Sequence, residues 1–309
     1  MRERKFKAKT VLRVGTAFIV LGVIIYQAIQ LTRPLPPIRL PNPNGYDDFV
    51  KGKELLSTQR VEIKGATTDE LRAYVTRNAE ALKFIRLGLA RECRVPLEYT
   101  QRFISNHLTD LATFKALTRL LVAQGKLAEA EGRTNDAARI YMETIRFSHE
   151  IARGGLVIDC LVSFACEAIV VEPLSKIVPR LDALTCREMV DALHKIDLKS
   201  ESVAEAQKRD RLWADRTSPV PRPLRMVQMI IQSRTLNPLK AALLKAEQKA
   251  AAIQHRRRVL LVEFAARAYE LQTGKPPEKL DDLVPGYLSA LPLEPGGKQS
   301  LNWTPILSQ

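Results

Sequence analysis

Four histidines, four cysteines and one run of arginines are the residues of this chain best suited to chemistry, and their spacing decides how much they can do. His107, His149, His194 and His255 fall on separate predicted helices. The stretch HEIAR, beginning at His149, opens like a zinc-protease helix, in which two histidines one turn apart hold the metal and the glutamate acts as base. Arg153 occupies the place of the second histidine, so the two-ligand face does not form. There is no glycine-rich phosphate loop, no G-x-S-x-G elbow and no C-x-x-C pair. The acid pair Asp281 and Asp282 has no second carboxylate with a reason to face it. The expectation is therefore no catalytic residue, no metal ligand and no cofactor.

Cys93, Cys160, Cys166 and Cys186 are even in number. Cys160 and Cys166, on one predicted helix, lie about 9 Å apart along its axis and on different faces, so they do not bridge each other. Pairing through distant partners and four buried free thiols both stay open. Arg256, Arg257 and Arg258, in the run HRRR, form a candidate basic patch for a polyanion, or else a solvated helix face.

The elements that would position these residues are helices. Of the 309 residues 46% are hydrophobic and only 6% aromatic, with Ala and Leu plentiful, which favours packed helices over sheets. The fold class expected is all-α. The formal net charge is +14, and residues 1–13 form a basic tail with six Lys or Arg against one Glu. A basic surface suits anionic lipid, an acidic protein or another polyanion, and charge alone does not choose among them.

Residues 14–31 hold ten Val, Leu, Ile or Phe and no charge. Eighteen helical residues reach about 27 Å, close to the thickness of a hydrocarbon core, so the segment reads as a transmembrane helix. The run ends YQAIQLTRP, with bulky residues where a signal peptide needs small ones, which favours a retained anchor over a cleaved signal. Basic residues precede it, so the expected location is the bacterial inner membrane, with the N-terminus cytoplasmic and the bulk of the chain periplasmic. Residues 32–45 form a Pro-rich linker.

The body divides into a helical domain at 46–215, a Pro-bounded connector at 216–238, a long helix at 239–274 and a C-terminal clasp at 275–309. TTDE at Thr67 and TCRE at Thr185 have capping-box spacing and should each open a helix. Further helices are expected over Leu108 to Ala130 and, capped by Asn135, over Asp136 to Arg153. The run Leu156 to Val171, uncharged apart from Asp159 and Glu167, reads as a central core helix bent or ended at Pro173.

The stretch LTRLLVAQGKLAEAEGRTNDAARIYMETIRFSHE resembles one degenerate tetratricopeptide repeat, with Gly125, Gly132, Ala137 and Tyr141 at that repeat's spacing. These four are the candidate packing or groove residues of a helical hairpin. Its usual Trp and second Tyr are replaced by Leu121 and Ala128, and a step of 34 residues in either direction finds no second copy. An irregular hairpin domain is expected rather than an array.

The C-terminal text YELQTGKPPEKLDDLVPGYLSALPLEPGG is similar to a module of uncharacterised membrane-anchored proteins of planctomycete-type bacteria. The matching positions include Tyr269, Gly274, Pro277, Leu280, Leu283, Val284, Pro285, Tyr287 and Leu288. The same stretch is similar to that after the long helix of some type II secretion pseudopilins, but the chain has no prepilin cleavage sequence. The resemblance implies an anchored α-helical protein and brings no activity with it. The function expected is a periplasmic scaffold that binds a protein or peptide partner, with nucleic acid not expected as a partner. The alternatives are a basic surface for a polyanion or anionic lipid, and an envelope hydrolase whose pocket gathers polar residues far apart in sequence.

Overall fold

The computed structural model describes residues 15–16, 18–26, 29, 38–59, 61–217, 233–297, 299–301 and 303, without the side chains of 101 and 233–243. Among the described residues there is no strand, only one isolated bridge between Leu293 and Ser300, and the architecture is all-α. The predicted basic tail 1–13, linker residues 32–37 and most of the connector lie outside the described residues. So do residues 14, 17, 27, 28, 30 and 31 of the predicted membrane span. Residues 15–16, 18–26 and 29 are helical, and no helix among the described residues is long and apolar enough to cross a membrane.

Among the described residues nine further α-helices follow, packed about one central member. They are α1 (Gly45–Glu54), α2 (Thr68–Arg77), α3 (Ala79–Leu89), α4 (Gln101–Ala130), α5 (Thr134–Glu150), α6 (Val157–Ile177), α7 (Ala183–Lys199), α8 (Val203–Thr217) and α9 (Ser233–Thr273). Short 3-10 turns at Val178–Arg180 and Leu280–Leu283 complete the set.

Local chemistry explains most of the boundaries. Thr67 caps α2 in a full capping box with Glu70, as its spacing predicts. The second predicted box fails because Asp182 takes the cap position of α7 and accepts from Thr185 N at 2.7 Å, leaving Thr185 buried in the first turn. Asn135 is not the cap of α5 either. Its side chain reaches across to Asp182, which ties the start of α5 to the start of α7.

Pro173 lies inside α6, which runs on to Ile177. The helix tolerates it because neighbouring helices hold both flanks, with Val170, Val171, Leu174 and Ile177 all buried. Likewise α9 begins at Ser233, ahead of Pro238, where a proline near a helix start removes few intrahelical bonds. At its far end Gly274, at φ 74°, terminates the helix.

The core has three parts, and α6 belongs to all of them. Its Val170, Leu174 and Ile177 join a cluster with α5, α7, α9 and the C-terminal segment. Cys166 joins a second cluster with α1 to α5, and Val157 and Cys160 meet Ala206 of α8 and Ala246 of α9 in a third. A helix apolar on every side belongs in the middle of a domain, and this one is there. The C-terminal segment folds back over α9 and α7. Leu283 and Leu288 are buried, Tyr287 sits edge-on to Tyr269 with centroids 5.4 Å apart, and Arg187 of α7 lies over the Tyr287 ring.

Candidate functional site

The predicted hairpin residues are packing residues of α4 and α5. Ala137 and Tyr141 are fully buried, and any side chain at Gly125 would run into the Tyr141 ring. The Tyr141 hydroxyl donates to Glu129, while Gly132 turns the chain between the two helices at φ 78°. None of the four lines the cavity or the groove described below. The predicted basic patch does not form as one surface, since successive residues on a helix point about 100° apart. Arg256 is exposed, Arg257 is only 4% exposed and points inward, and Arg258 turns to Asp197 and the carbonyl of Leu293.

Arg257 leads to the most concentrated chemistry among the described residues. Its Nε is 3.0 Å from Glu167 Oε1, and its Nη1 is 3.3 Å from Asp197 Oδ1 and 3.0 Å from Ser200 Oγ. The other oxygen of Glu167 is 3.0 Å from His149 Nε2. His149 Nδ1, in turn, is 3.4 Å from Ser200 Oγ. Five residues from four helical segments thus converge: His149 from α5, Glu167 from α6, Asp197 and the C-cap Ser200 from α7, and Arg257 from α9.

Helix periodicity aims them. On α6 the residues Cys160, Ser163, Phe164 and Glu167 recur at steps of three, one and three, one helical face, and α9 answers with Ala250, Gln254 and Arg257. The two faces enclose a cavity of about 280 Å³, with Ser200, Ser202 and Val203 on its wall and Arg153 and Lys199 beside them. The cavity borders the third core cluster through Cys160 and Phe164.

The electrostatics follow from burial. Desolvation alone would push the Glu167 carboxyl up, but the charges of His149 and Arg257 and the hydrogen bond from His149 outweigh it, and the net shift is downward. Glu167 is therefore an ionised acceptor, so His149 donates from Nε2 and its Nδ1 faces Ser200. The thiol of Cys160 on the cavity wall is pushed up to about 12, by burial first and by Asp159 second, and is an inert packing group. All four cysteines are free and buried.

A second relay lies deeper. His107 Nε2 is 2.5 Å from Asp159 Oδ1, His107 Nδ1 is 3.4 Å from the Tyr46 hydroxyl, and all three residues are at most 3% exposed. The other Asp159 oxygen accepts from Leu156 N and so closes the start of α6. This relay satisfies buried polar groups and joins α1, α4 and α6.

A separate groove of about 1220 Å³ runs between the 61–66 segment with α2 and the outer faces of α4 and α6. Ile63, Tyr74, Ile169 and Pro173 line its apolar part. No group of three or more His, Cys, Asp or Glu able to hold a metal occurs among the described residues. No protein-family model matches the chain, and comparisons with curated proteins and with solved structures find no similar protein, so this site is read from its own geometry.

Proposed function

We propose that the chain is a membrane-anchored, extracytoplasmic helical scaffold that binds a segment of a protein partner in the groove beside α2. The observation that carries the binding role is the groove's combination of size, apolar floor and charge. Lys64, Arg119, Lys126, Lys176 and Arg180 line it against Glu62, Glu129 and Glu172. Glu129 is engaged by Lys126 and Arg180, and Glu172 by Lys176, while Lys64 and Arg119 are exposed and have no acidic partner among the described residues. The occupant that suits this surface is an acidic segment carrying apolar side chains, docking as an amphipathic helix or strap.

The anchor role is supported by the described helical residues near the N-terminus. Phe18, Ile19, Val20, Leu21, Ile24, Ile25 and Ile29 are between 49% and 70% exposed, a density of bare apolar side chains that suits lipid. The basic tail before them and the resemblance of the C-terminal module to anchored proteins point the same way.

Two measurements test these roles. In spheroplasts of a Gram-negative host, an N-terminal tag should be protected from added protease and a C-terminal tag cleaved. Protection of both tags, or a freely soluble chain, would rule out the anchored topology. For the groove, random 12-residue peptides are selected on the full-length protein in detergent. Acidic, apolar sequences should be enriched, and Arg119→Glu should weaken them about 10-fold or more, the scale of one close charge pair at an interface. Failure to enrich such peptides, or equal binding by the variant, would remove the groove as the partner site.

A further inference from the structure

From the cavity bounded by α5, α6, α7 and α9 we infer an activity independent of the groove: Ser200, His149 and Glu167 form a nucleophile, base and orienting carboxylate for hydrolysis of a short-chain carboxylic ester. The three are 51 and 18 residues apart in the chain when taken from His149. Their chemistry is that of an activated hydroxyl, in which a base within hydrogen-bond reach of the nucleophile is itself held by a third group.

The tautomer is set from below. Glu167 is fully buried with one oxygen 3.0 Å from His149 Nε2, and in the tautomer that donates from Nε2 the other ring nitrogen, 3.4 Å from Ser200 Oγ, is the acceptor the mechanism needs. The Ser200 hydroxyl has one proton and two acceptors within reach, the Ile196 carbonyl at 2.9 Å and His149 Nδ1 at 3.4 Å. In the resting state the shorter bond holds the proton. Rotation about the side-chain bond moves it to the imidazole, and the longer distance is of the kind that tightens when substrate binds.

Two features favour an oxyanion. Arg257 Nη1 already donates to Ser200 Oγ from 3.0 Å. The first turn of α8 begins three residues after Ser200, and its Val203 lines the same cavity; Glu205 N and Ala206 N of that turn are taken by Ser202, so any backbone donor to a carbonyl oxygen comes from the N–H of Val203 or Ala204. Phe164, Ala152, Val203 and Ala250 give the cavity an apolar side, and its volume of about 280 Å³ limits the acyl chain to a few carbons.

The steps balance without any group beyond water. Ser200 Oγ bonds to the ester carbonyl carbon as its proton passes to His149 Nδ1, and the ester C–O bond breaks as that proton passes to the departing alcohol oxygen. Water then adds to the acyl carbon, giving a proton to Nδ1. The acyl C–Oγ bond breaks, Ser200 regains the proton and the carboxylic acid leaves. Glu167 keeps its charge throughout and acts as a positioning residue.

The test uses the full-length protein with a biotinylated fluorophosphonate and with p-nitrophenyl acetate. Digestion and mass spectrometry should place a single adduct on Ser200 in native protein, with none after heat denaturation. Ser200→Ala, a change at a partly exposed helix end, should keep the parental melting curve while ester turnover falls about 100-fold or more. Glu167→Gln, where it still folds, should move the pH dependence of turnover as well as its height, which loss of packing alone would not do. The assignment is overturned by an unlabelled native Ser200, by labelling that survives denaturation, or by parental turnover in Ser200→Ala. None of these outcomes touches the groove, which shares no residue with this cavity.

Discussion

Glu167→Ala is expected to lower the unfolding free energy by about 3–5 kcal/mol, because it strands the buried Arg257 guanidinium and removes the acceptor of His149. Arg257 is only 4% exposed, and with Glu167 gone it keeps Asp197 alone at ion-pair distance. His149 loses its Nε2 acceptor at the same time. Urea denaturation at neutral pH measures the loss, and a change below about 1 kcal/mol would mean that solvent reaches the network and screens it. Replacing Glu167, Arg257 and His149 together with apolar residues should cost less than Glu167→Ala alone, since no charge is then left unpaired.

The sign of the pH dependence is also fixed. Folding lowers the Glu167 pKa, so its contribution is complete above the unfolded carboxylate value of about 4.3 and is lost as the pH falls through the folded value. In Glu167→Gln the acid limb of the stability profile below about pH 4.3 should be flatter than in the parent. An unchanged acid limb would show that Glu167 does not titrate with folding.

The second large effect is expected at Phe147 on α5. Its ring is fully buried, 4.9 Å from Phe49 of α1 at 82° and 6.2 Å from Phe114 of α4 at 89°, and Tyr46 stands edge-on to Phe114 at 5.5 Å. Edge-to-face rings in a closed cluster lose both burial and ring contacts when one is removed. Phe147→Ala should cost about 3–5 kcal/mol, and Phe147→Leu clearly less because part of the volume remains. Hydrogen exchange should rise first in α1, whose Phe49 loses its partner. A fall of under 1 kcal/mol in Phe147→Ala would mean that the cluster closes over the gap.

Much of the helical layout was legible because its signals are local. The Thr67 capping box and the glycine at 274 act over a few residues, and the nearly uncharged run Leu156 to Val171 marked most of α6, which the structure extends to Ile177. The failures came where a neighbour overrode the local signal. TCRE lost its cap to Asp182, Asn135 bonded across to α7 instead of capping α5, and Pro173 was carried within α6 by packing on both sides.

The site was half written in the sequence. Asp159 and Glu167, the two charges interrupting an apolar run, each meet a histidine from another helix, His107 and His149. That a buried carboxylate needs a partner follows from desolvation. Which histidine it meets depends on tertiary packing. The run of three arginines misled for the same reason: composition marks charge, and helix rotation decides that Arg257 turns inward while Arg256 faces water.

If the chain is exported as proposed, the carboxylates of α6 act before the domain exists. A 21-residue helix this apolar resembles a stop-transfer segment to the secretion channel, and an exported domain must pass through that channel unfolded. Asp159, Glu167 and Glu172 stand within it, and a charged residue near the centre of a lipid-inserted helix costs about 2.5–3.5 kcal/mol. The acids that later hold His107 and His149 would thus keep α6 from lodging in the bilayer on the way out, and their neutral substitutes would be expected to leave part of the chain embedded there.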